Sequence, residues 1–343
     1  QNNFLMFNKI TIMTMQKFRI YFLSILFTAF LVTGCEKEEE TVIEAEVLVE
    51  YLESTDSPLM KDYVNTDMPS IIGAADVKTL NTVGGAYIID IRSAEDFGNG
   101  AIPNAHNVAL GDILTHVESN DLTSYEKIIV VCYSGQSASF ATAILRLMGY
   151  DNAFSMKWGM CSWHADYSGG WTNAVAAGNT YATQFTSDAT AKGEEGSLPV
   201  LSTGFTTGQD ILEARVETVL SEGYTPAKIS NTEVFANLNN YYIVNYWSEA
   251  HYTDPGHIPG ATQYTPKESI KLDVDLKTLP TDKPVVVYCY TGQTSSFMAA
   301  YLRILGYDAK SLAYGANGMI YDIMVSAGLT TYSEAQIMGY DVE

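Results

Sequence analysis

Two cysteines in this 343-residue chain head nearly identical six-residue segments. The first segment is Cys132-Tyr-Ser-Gly-Gln-Ser137 and the second is Cys289-Tyr-Thr-Gly-Gln-Thr294, and twelve of the twenty residues that start at each cysteine are identical. Each segment follows an apolar run that predicts a strand and precedes a helical pattern. A cysteine between a strand and a helix N-terminus meets backbone N–H groups and partial positive charge, which favour a nucleophilic thiolate.

The other residues of each segment predict a small anion-binding loop. A glycine at the fourth position lets the backbone curl tightly without a Cβ clash, and successive N–H groups in such a turn point inward. The Ser and Thr hydroxyls add hydrogen-bond donors. We therefore take Cys132 and Cys289 as candidate catalytic residues. The candidate substrate-binding residues are Tyr133, Ser134, Gly135, Gln136, Ser137, Tyr290, Thr291, Gly292, Gln293 and Thr294.

Three kinds of cysteine chemistry suit such a loop, and the sequence disfavours two of them. A cysteine phosphatase needs an arginine six residues after the nucleophile, where this chain has Ala138 and Ser295. A Cys–His hydrolase needs a histidine at an equivalent position of both halves, and none recurs. Sulfur transfer through a persulfide needs only a thiolate and N–H donors. The sequence therefore favours sulfur transfer.

The similarity between the two halves extends beyond the cysteine segments at an offset of 157 residues. In each half, short β-branched runs alternate with helical patterns, which predicts an α/β fold with a mainly parallel sheet and helices on both faces. Apolar residues of the helix after each cysteine recur at helical spacing, which indicates core packing. A period this long predicts two tandem domains of one fold.

The spaced motifs resemble those of the rhodanese (sulfurtransferase) family. The matching segments are Asp90-Ile-Arg92, Ala101-Ile-Pro-Asn-Ala105, Gly256-His-Ile-Pro-Gly-Ala261 and the two cysteine loops. The resemblance implies two rhodanese-like domains, a small donor such as thiosulfate or polysulfide, a thiol or cyanide acceptor, and no cofactor. Asp90 and Arg92 are expected to form an ion pair at a strand end, with a substrate-binding role for Arg92 as the alternative.

The sequence also departs from the family pattern. Asn245-Tyr-Trp247 replaces the Asp-x-Arg segment in the second half, and neither cysteine loop carries the basic residue that helps some members bind thiosulfate. A rhodanese-like module that binds a partner or carries sulfur without turnover therefore remains an alternative. Cys161 has no counterpart in the second half, and we interpret it as an ordinary half-buried cysteine. The alternatives are that it resolves a persulfide, or that it pairs with Cys132, for example as a redox sensor.

The N-terminal residues resemble a bacterial lipoprotein signal. Lys17 and Arg19 precede an apolar stretch, and Leu31-Val-Thr-Gly-Cys35 resembles a lipobox whose cysteine is lipidated. We expect a bacterial cell-envelope protein anchored through Cys35, at the outer membrane. The predicted organisation is a signal peptide at 1–35, a tether and extra helix at 36–68, domain 1 at 69–175, a linker at 176–204, and an extra helix with domain 2 at 205–343.

Composition restricts the remaining partners. With 40 acidic against 19 basic residues, the chain has a net charge of −21, which disfavours nucleic acid. We expect membrane contact through the lipid anchor alone. The five histidines show no zinc-ligand spacing, so no metal site is predicted. Besides Cys35, three cysteines remain, an odd number that favours at least one free thiol in an exported protein.

Overall fold

A computed structural model describes residues 42–343, so the predicted signal peptide, Cys35 and residues 36–41 of the predicted tether lie outside the described residues. Residues 42–343 contain two five-stranded sheets, one in each half of the chain. Every strand pair within the two sheets is parallel. The predicted α/β fold with two tandem domains is therefore confirmed.

Domain 1 has the strand order β1-β5-β4-β2-β3. Its strands are β1 (Ile71–Ile72), β2 (Ala86–Asp90), β3 (Ala105–Asn107), β4 (Lys127–Val131) and β5 (Ala153–Met156). The helices of this half are α1 (Glu44–Glu53), α2 (Tyr63–Thr66), α3 (Ala74–Thr82), α4 (Ala94–Gly98), α5 (Ile113–Ser119), α6 (Gln136–Leu147), α7 (Met160–Trp163) and α8 (Gly169–Ala176). The central strand β4 leads directly into the first cysteine loop.

Domain 2 repeats this arrangement with the order β6-β10-β9-β7-β8. Its strands are β6 (Lys228–Ile229), β7 (Tyr242–Asn245), β8 (Thr262–Gln263), β9 (Val285–Tyr288) and β10 (Ala309–Leu312). Its helices are α9 (Gly208–Glu222), α10 (Asn231–Ala236), α11 (Glu249–Thr253), α12 (Gln293–Ile304) and α13 (Tyr321–Ser326). The second cysteine loop lies between β9 and α12, as the first lies between β4 and α6.

The helices that follow the two cysteines pack against each other in one core shared by both domains. This core contains apolar residues of α1, α6, α9 and α12 and one face of each sheet. The opposite face of each sheet is covered in a separate cluster. Phe140 of α6 and Phe297 of α12 are completely buried in the core that the two domains share. Because burial of one such side chain contributes roughly 1.5–3 kcal/mol, the α6–α12 contact fixes the two cysteine loops relative to each other.

Both ends of the described chain cross from one domain to the other. Helix α1, which precedes domain 1, packs on α9 of domain 2. The last residues, predicted as part of domain 2, lie along domain 1, where Glu343 and Ala101 exchange backbone hydrogen bonds of 2.8 and 3.0 Å. Tyr340 N–H also donates to the carbonyl of Trp163 at 3.0 Å. Each domain is therefore completed by a segment that packs on it from the other half of the chain.

The segment between α8 and α9 was predicted as a linker, and it runs along the surface of domain 2. Thr186 forms an isolated antiparallel bridge with His257. Lys192 Nζ lies 3.0 Å from a carboxylate oxygen of Asp275. These contacts attach the linker to domain 2. None of the helices in residues 42–343 is long and apolar enough to cross a membrane.

Candidate active site

The first cysteine loop holds its sulfur over inward-pointing backbone amides. Cys132 follows the buried strand β4, and its Sγ accepts hydrogen bonds from Gly135 N at 3.2 Å and Ala138 N at 3.3 Å. Gly135 has a φ of +82° and immediately precedes α6, so the loop ends at a helix N-terminus. Two N–H donors and the helix dipole together stabilise negative charge on this sulfur.

The glycine is required for close packing as well as for its left-handed backbone. A Cβ atom on Gly135 would lie 2.9 Å from the carbonyl oxygen of Met156. Gly159, at the start of α7, packs equally tightly, because a Cβ there would lie 2.6 Å from Gly135 N. The cysteine loop and the 156–159 turn therefore support each other, and an alanine at either glycine would force the loop to move.

The second cysteine loop has the same shape, but its sulfur has different hydrogen-bond partners. Cys289 Sγ accepts a hydrogen bond from Ser295 N at 3.3 Å, and Ser295 Oγ lies 3.6 Å from the sulfur. Within residues 42–343 no second backbone donor reaches this sulfur. Ser295 occupies the position that Ala138 occupies in domain 1. The Cys289 sulfur therefore exchanges one backbone donor for a hydroxyl group.

The two loops are joined by a reciprocal pair of glutamines. Gln136 Oε1 accepts a hydrogen bond from Tyr314 N of domain 2 at 2.8 Å. Gln293 Oε1 accepts one from Trp158 N of domain 1 at 3.1 Å, and its Nε2 donates to the carbonyl of Gly135 at 3.3 Å. Both glutamines are buried. These predicted substrate-binding residues thus also bridge the domains.

An open cavity of about 410 Å³ lies over the first cysteine loop, and both domains line it. Domain 1 contributes the loop residues Cys132, Tyr133, Ser134, Gln136 and Ser137, together with Cys161, Tyr167 and Gly170. The other lining residues come from domain 2: Tyr224, Lys228, Ala313 and Tyr314. The cavity is therefore completed by the interface between the domains.

Lys228 carries the single formal charge among the residues that line this cavity. Within the described chain, no carboxylate oxygen lies within 4 Å of its Nζ. Its ammonium group lies 6.0 Å from the centre of the Tyr224 ring. The corresponding residue of domain 1 is Ile71, because Ile71 pairs with Ser155 as Lys228 pairs with Ser311. Domain 1 therefore has an apolar residue at the strand position where domain 2 has this cation.

The motifs and the fold agree with a family model described as Rhodanese-like domain, which matches residues 74–166 and 231–320. The chain belongs to the rhodanese-like domain family. The two matches fall on the two sheets with their cysteine loops. The lipoprotein prediction lies outside these matches and stays a prediction.

Similar proteins include enzymes named as sulfurtransferases. Thiosulfate sulfurtransferase GlpE of Shewanella oneidensis is 32% identical over 77 residues, which are 22% of this chain and 74% of that protein. GlpE of Pseudomonas savastanoi is 31% identical over 83 residues, 24% of this chain and 76% of that protein. Adenylyltransferase and sulfurtransferase uba4 of Ogataea parapolymorpha is 28% identical over 87 residues, 25% of this chain but 22% of that protein.

Solved structures of rhodanese-like proteins also resemble single domains of this chain. A rhodanese-related protein from Thermoplasma volcanium covers 28% of this chain and 90% of its own, with 22% identity and a TM-score of 0.25. The human single-domain sulfurtransferase TSTD1 covers 26% of this chain and 88% of its own, with 20% identity and a TM-score of 0.23.

Arg92 lies beneath the first rhodanese-like loop rather than among the residues that line its cavity. Its Nη2 and Nε donate to Oδ2 of Asp90 at 2.7 and 3.0 Å, and Nε also contacts Oδ1 at 3.1 Å. Nη2 donates in addition to the carbonyl of Gly100 at 2.8 Å. Both side chains are fully buried, so the predicted ion pair is confirmed. The guanidinium carbon lies 5.6 Å from the centre of the Tyr133 ring, so Arg92 supports this tyrosine from below.

Domain 2 supports its loop with an aromatic ring instead. Trp247, at the position of Arg92, stacks on Tyr290 with 5.1 Å between ring centres. The hydroxyl of Tyr290 hydrogen-bonds His251 Nδ1, and burial together with the nearby Cys289 raises the pKa of this phenol to about 12. The corresponding hydroxyl of Tyr133 donates instead to Asp96.

The remaining predicted residues mostly shape the backbone of the loops. Thr291 Oγ1 accepts a hydrogen bond from Gln293 N at 3.2 Å, and Gly292 has a φ of +78°. Thr294 and Ser137 are half-buried at the helix starts. Ser134 Oγ accepts from Gln136 Nε2 at 3.0 Å.

Cys161 is more deeply placed than the half-buried position that the sequence suggested. It is 1% exposed, and its thiol donates to the carbonyl of Tyr167 at 3.0 Å. Burial raises the pKa of this thiol to about 11. Sequence reasoning missed the domain 2 residues of the cavity, above all Lys228. No local pattern marks them, since only the packing of α6 on α12 brings them to Cys132.

Proposed function

We propose that this protein is a rhodanese-type sulfurtransferase whose principal nucleophile is Cys132. The Cys132 thiolate attacks the outer sulfur of a donor such as thiosulfate. A new S–S bond forms, the donor S–S bond breaks, and sulfite leaves with its electron pair. The products are a Cys132 persulfide anion and sulfite. The observation that carries this proposal is the pair of N–H groups, from Gly135 and Ala138, directed at a sulfur beside an open cavity.

The same amides support both halves of the cycle. They stabilise the thiolate before attack, and they stabilise it again as the leaving group when an acceptor removes the outer sulfur. A thiol or cyanide acceptor attacks that outer sulfur, so the S–S bond to Cys132 breaks and the thiolate returns. A cavity of about 410 Å³ offers room for an acceptor of this size beside the persulfide.

Lys228 is the residue we assign to donor binding. Thiosulfate and polysulfides are anions, and the protein as a whole carries a net charge of −21. Among residues 42–343 this ammonium group has no carboxylate partner, and it acts on a donor in the cavity at short range, where salt screens it less than the distant surface charges. Lys228 therefore supplies from domain 2 the basic group that the cysteine loop of domain 1 lacks.

Cys289 is the second candidate nucleophile. Its sulfur has one backbone donor, and its thiol contacts the Ser295 hydroxyl. This loop therefore stabilises negative charge on its sulfur less than the loop of Cys132 does. We assign the faster sulfur loading to Cys132 and the slower loading to Cys289. In this proposal the other residues of the second loop bind the donor at Cys289, namely Tyr290, Thr291, Gly292, Gln293 and Thr294.

We also propose that the protein is attached to a bacterial cell envelope through lipid on Cys35. This proposal rests on the sequence Leu31-Val-Thr-Gly-Cys35 and the basic and apolar residues before it. Expression of the full chain and of a Cys35→Ala variant in a bacterial host provides the test. We expect the parent protein in the membrane fraction with added acyl mass, and the variant without acyl mass.

Sulfur loading is tested with purified residues 42–343 in the absence of oxygen. The protein is mixed with thiosulfate, quenched within seconds by an alkylating reagent, and digested for peptide mass measurement. We expect a gain of one sulfur, about 32 Da, on the Cys132 peptide, with one sulfite released for each sulfur gained. If neither cysteine gains sulfur from thiosulfate or polysulfide, the proposed activity is wrong and a binding function takes its place.

A further inference from the structure

Cys161 is a second thiol at the wall of the cavity over Cys132. Two backbone hydrogen bonds hold its segment beside the cysteine loop. Met160 N donates to the carbonyl of Cys132 at 2.9 Å, and Cys161 N donates to the carbonyl of Tyr133 at 3.1 Å. The nucleophile and the second thiol are therefore attached to adjoining backbone segments that open into the same space.

Domain 2 has the same backbone contacts without the thiol. Ala316 N donates to the carbonyl of Cys289 at 3.0 Å, and Asn317 N donates to that of Tyr290 at 3.1 Å. Asn317 thus stands where Cys161 stands in domain 1. Its side chain donates to the carbonyls of Tyr290 and Thr330 at 2.7 and 2.9 Å and accepts from Tyr332 N at 2.9 Å. The amide is bound on all sides, whereas the Cys161 thiol makes one S–H contact.

We propose that Cys161 is a resolving thiol: it converts the Cys132 persulfide into a Cys132–Cys161 disulfide and releases hydrosulfide. This inference rests on the proposed persulfide at Cys132. It gives domain 1 a further activity, the reduction of sulfane sulfur without an external acceptor. Domain 2, with Asn317 at this position, lacks that activity and holds its persulfide for transfer.

The step balances within the protein. The persulfide anion at Cys132 takes the proton of the Cys161 thiol onto its outer sulfur. The Cys161 sulfur then attacks the inner sulfur, a new S–S bond forms to Cys132, and the outer sulfur leaves as hydrosulfide with the electron pair of the broken bond. The two cysteine sulfurs are oxidised to a disulfide, and the sulfane sulfur is reduced. No outside oxidant takes part.

The surroundings of Cys161 suit this order of events. Burial holds its pKa near 11, so the thiol carries the proton that the departing hydrosulfide requires. The disulfide product is neutral, and a neutral group is stable in an apolar site that penalises a thiolate. To reach Cys132, the Cys161 side chain leaves the carbonyl of Tyr167, to which it donates a weak S–H hydrogen bond, and the backbone N–H groups of Gly170 and Trp171 that interact with its sulfur.

This activity would make domain 1 self-limiting. After one release of hydrosulfide, both sulfurs of the pair are joined, and Cys132 accepts no further sulfur until a reductant opens the disulfide. A thiol of low molecular weight or a dithiol protein is the class of reductant that restores it. The two domains would then respond differently to one donor, with a reducible site in domain 1 and a persulfide carrier in domain 2.

The experiment compares residues 42–343 with Cys161→Ser and Cys132→Ser variants, all pre-reduced and free of oxygen. Each protein receives one equivalent of thiosulfate, whose leaving group is sulfite rather than hydrosulfide, and no acceptor. Hydrosulfide is measured over time, and peptides are mapped after alkylation. Cys289 in the same samples is the internal control, because its domain has Asn317 at the corresponding position.

We expect the parent protein to release close to one equivalent of hydrosulfide and to yield linked 132 and 161 peptides, lighter by about 2 Da than the two reduced peptides. The Cys161→Ser variant should keep its persulfide at Cys132 and lower hydrosulfide release at least tenfold. The Cys132→Ser variant should form no linked peptide. A sample without donor should stay reduced.

Three results would overturn the inference. One is a persulfide at Cys132 that lasts as long in the parent as in Cys161→Ser. Another is a gain of one sulfur on Cys161, which would make it a sulfur acceptor rather than a resolving thiol. The third is a linked peptide that forms without donor. If Cys132 gains no sulfur even in Cys161→Ser, the proposed sulfurtransferase function fails instead, so the two failures are distinguishable.

Discussion

The two cysteine loops share four of their six residues, yet the atoms around their sulfurs differ. Cys132 Sγ receives two backbone donors, while Cys289 Sγ receives one and lies near the Ser295 hydroxyl. Lys228 lines the cavity over Cys132, and the equivalent position of domain 1 is Ile71. A duplicated loop therefore gives its two sulfurs different surroundings, through the donors of the loop itself and through residues outside it.

The largest expected effect comes from removing the better-supported nucleophile. Cys132→Ser should lower kcat/KM for thiosulfate with a cyanide acceptor by about 10³-fold or more, since a hydroxyl cannot form the persulfide. Cys289→Ser should lower it by less than about threefold. Steady-state rates of thiocyanate formation check both values. Equal losses in the two variants would contradict the assigned difference between the loops.

Much of the fold and of the first cysteine loop can be predicted from the sequence, because local patterns determine them. The strand–loop–helix geometry around Cys132 follows from local patterns, namely an apolar run, a glycine and an apolar helix face. The repeat at a fixed offset predicts the second domain directly. By contrast, Lys228 and Tyr314 reach the cavity through the packing of α6 on α12, which no local pattern encodes. The return of residues 338–343 to domain 1 is likewise a long-range contact.

The side chains that pack under the two loops also differ, with an ion pair in domain 1 and an uncharged pair in domain 2. Asp90→Asn should lower the free energy of unfolding by about 3–5 kcal/mol, because it leaves the buried Arg92 charge without its partner. The double variant Asp90→Asn, Arg92→Trp copies Asn245 and Trp247 of domain 2. It should recover more than about 1 kcal/mol of that loss, since the uncompensated charge is gone. Urea unfolding of residues 42–343, followed by circular dichroism, measures both changes; no recovery in the double variant would contradict an ionic origin of the effect.

Replacing either bridging glutamine should lower the free energy of unfolding by about the same amount. Gln293→Leu leaves Trp158 N–H without its acceptor, and Gln136→Leu does the same to Tyr314 N–H. Each variant should lower the free energy of unfolding by about 1–3 kcal/mol, the cost of a buried unsatisfied donor. The same urea experiment compares them. Gln293→Leu should also slow sulfur loading at Cys132, because its Nε2 binds the Gly135 carbonyl. Clearly unequal losses would contradict the claim that the two glutamines contribute equally to the contact between the domains.

The smallest predicted effect concerns Lys228, the cation that lines the cavity over Cys132. Lys228→Met should raise KM for thiosulfate by about tenfold with little change in kcat, the equivalent of about 1.4 kcal/mol of binding. Lys310→Met is the matched control, because it removes the same charge from the neighbouring strand. Among the described residues Lys310, unlike Lys228, is bound by Asp308 and by the carbonyl of Pro226. The effect of Lys228→Met should shrink in high salt. Equal KM values for the two variants would remove Lys228 from donor binding.

The central claim is that Cys132 is loaded with sulfur before Cys289. The most direct measurement is a time course of peptide masses after one addition of thiosulfate to the oxygen-free Cys161→Ser variant, in which the product at Cys132 is predicted to persist. A gain of about 32 Da should accumulate on the Cys132 peptide at least tenfold faster than on the Cys289 peptide. Loading that is faster at Cys289, or absent from Cys132, would contradict the claim.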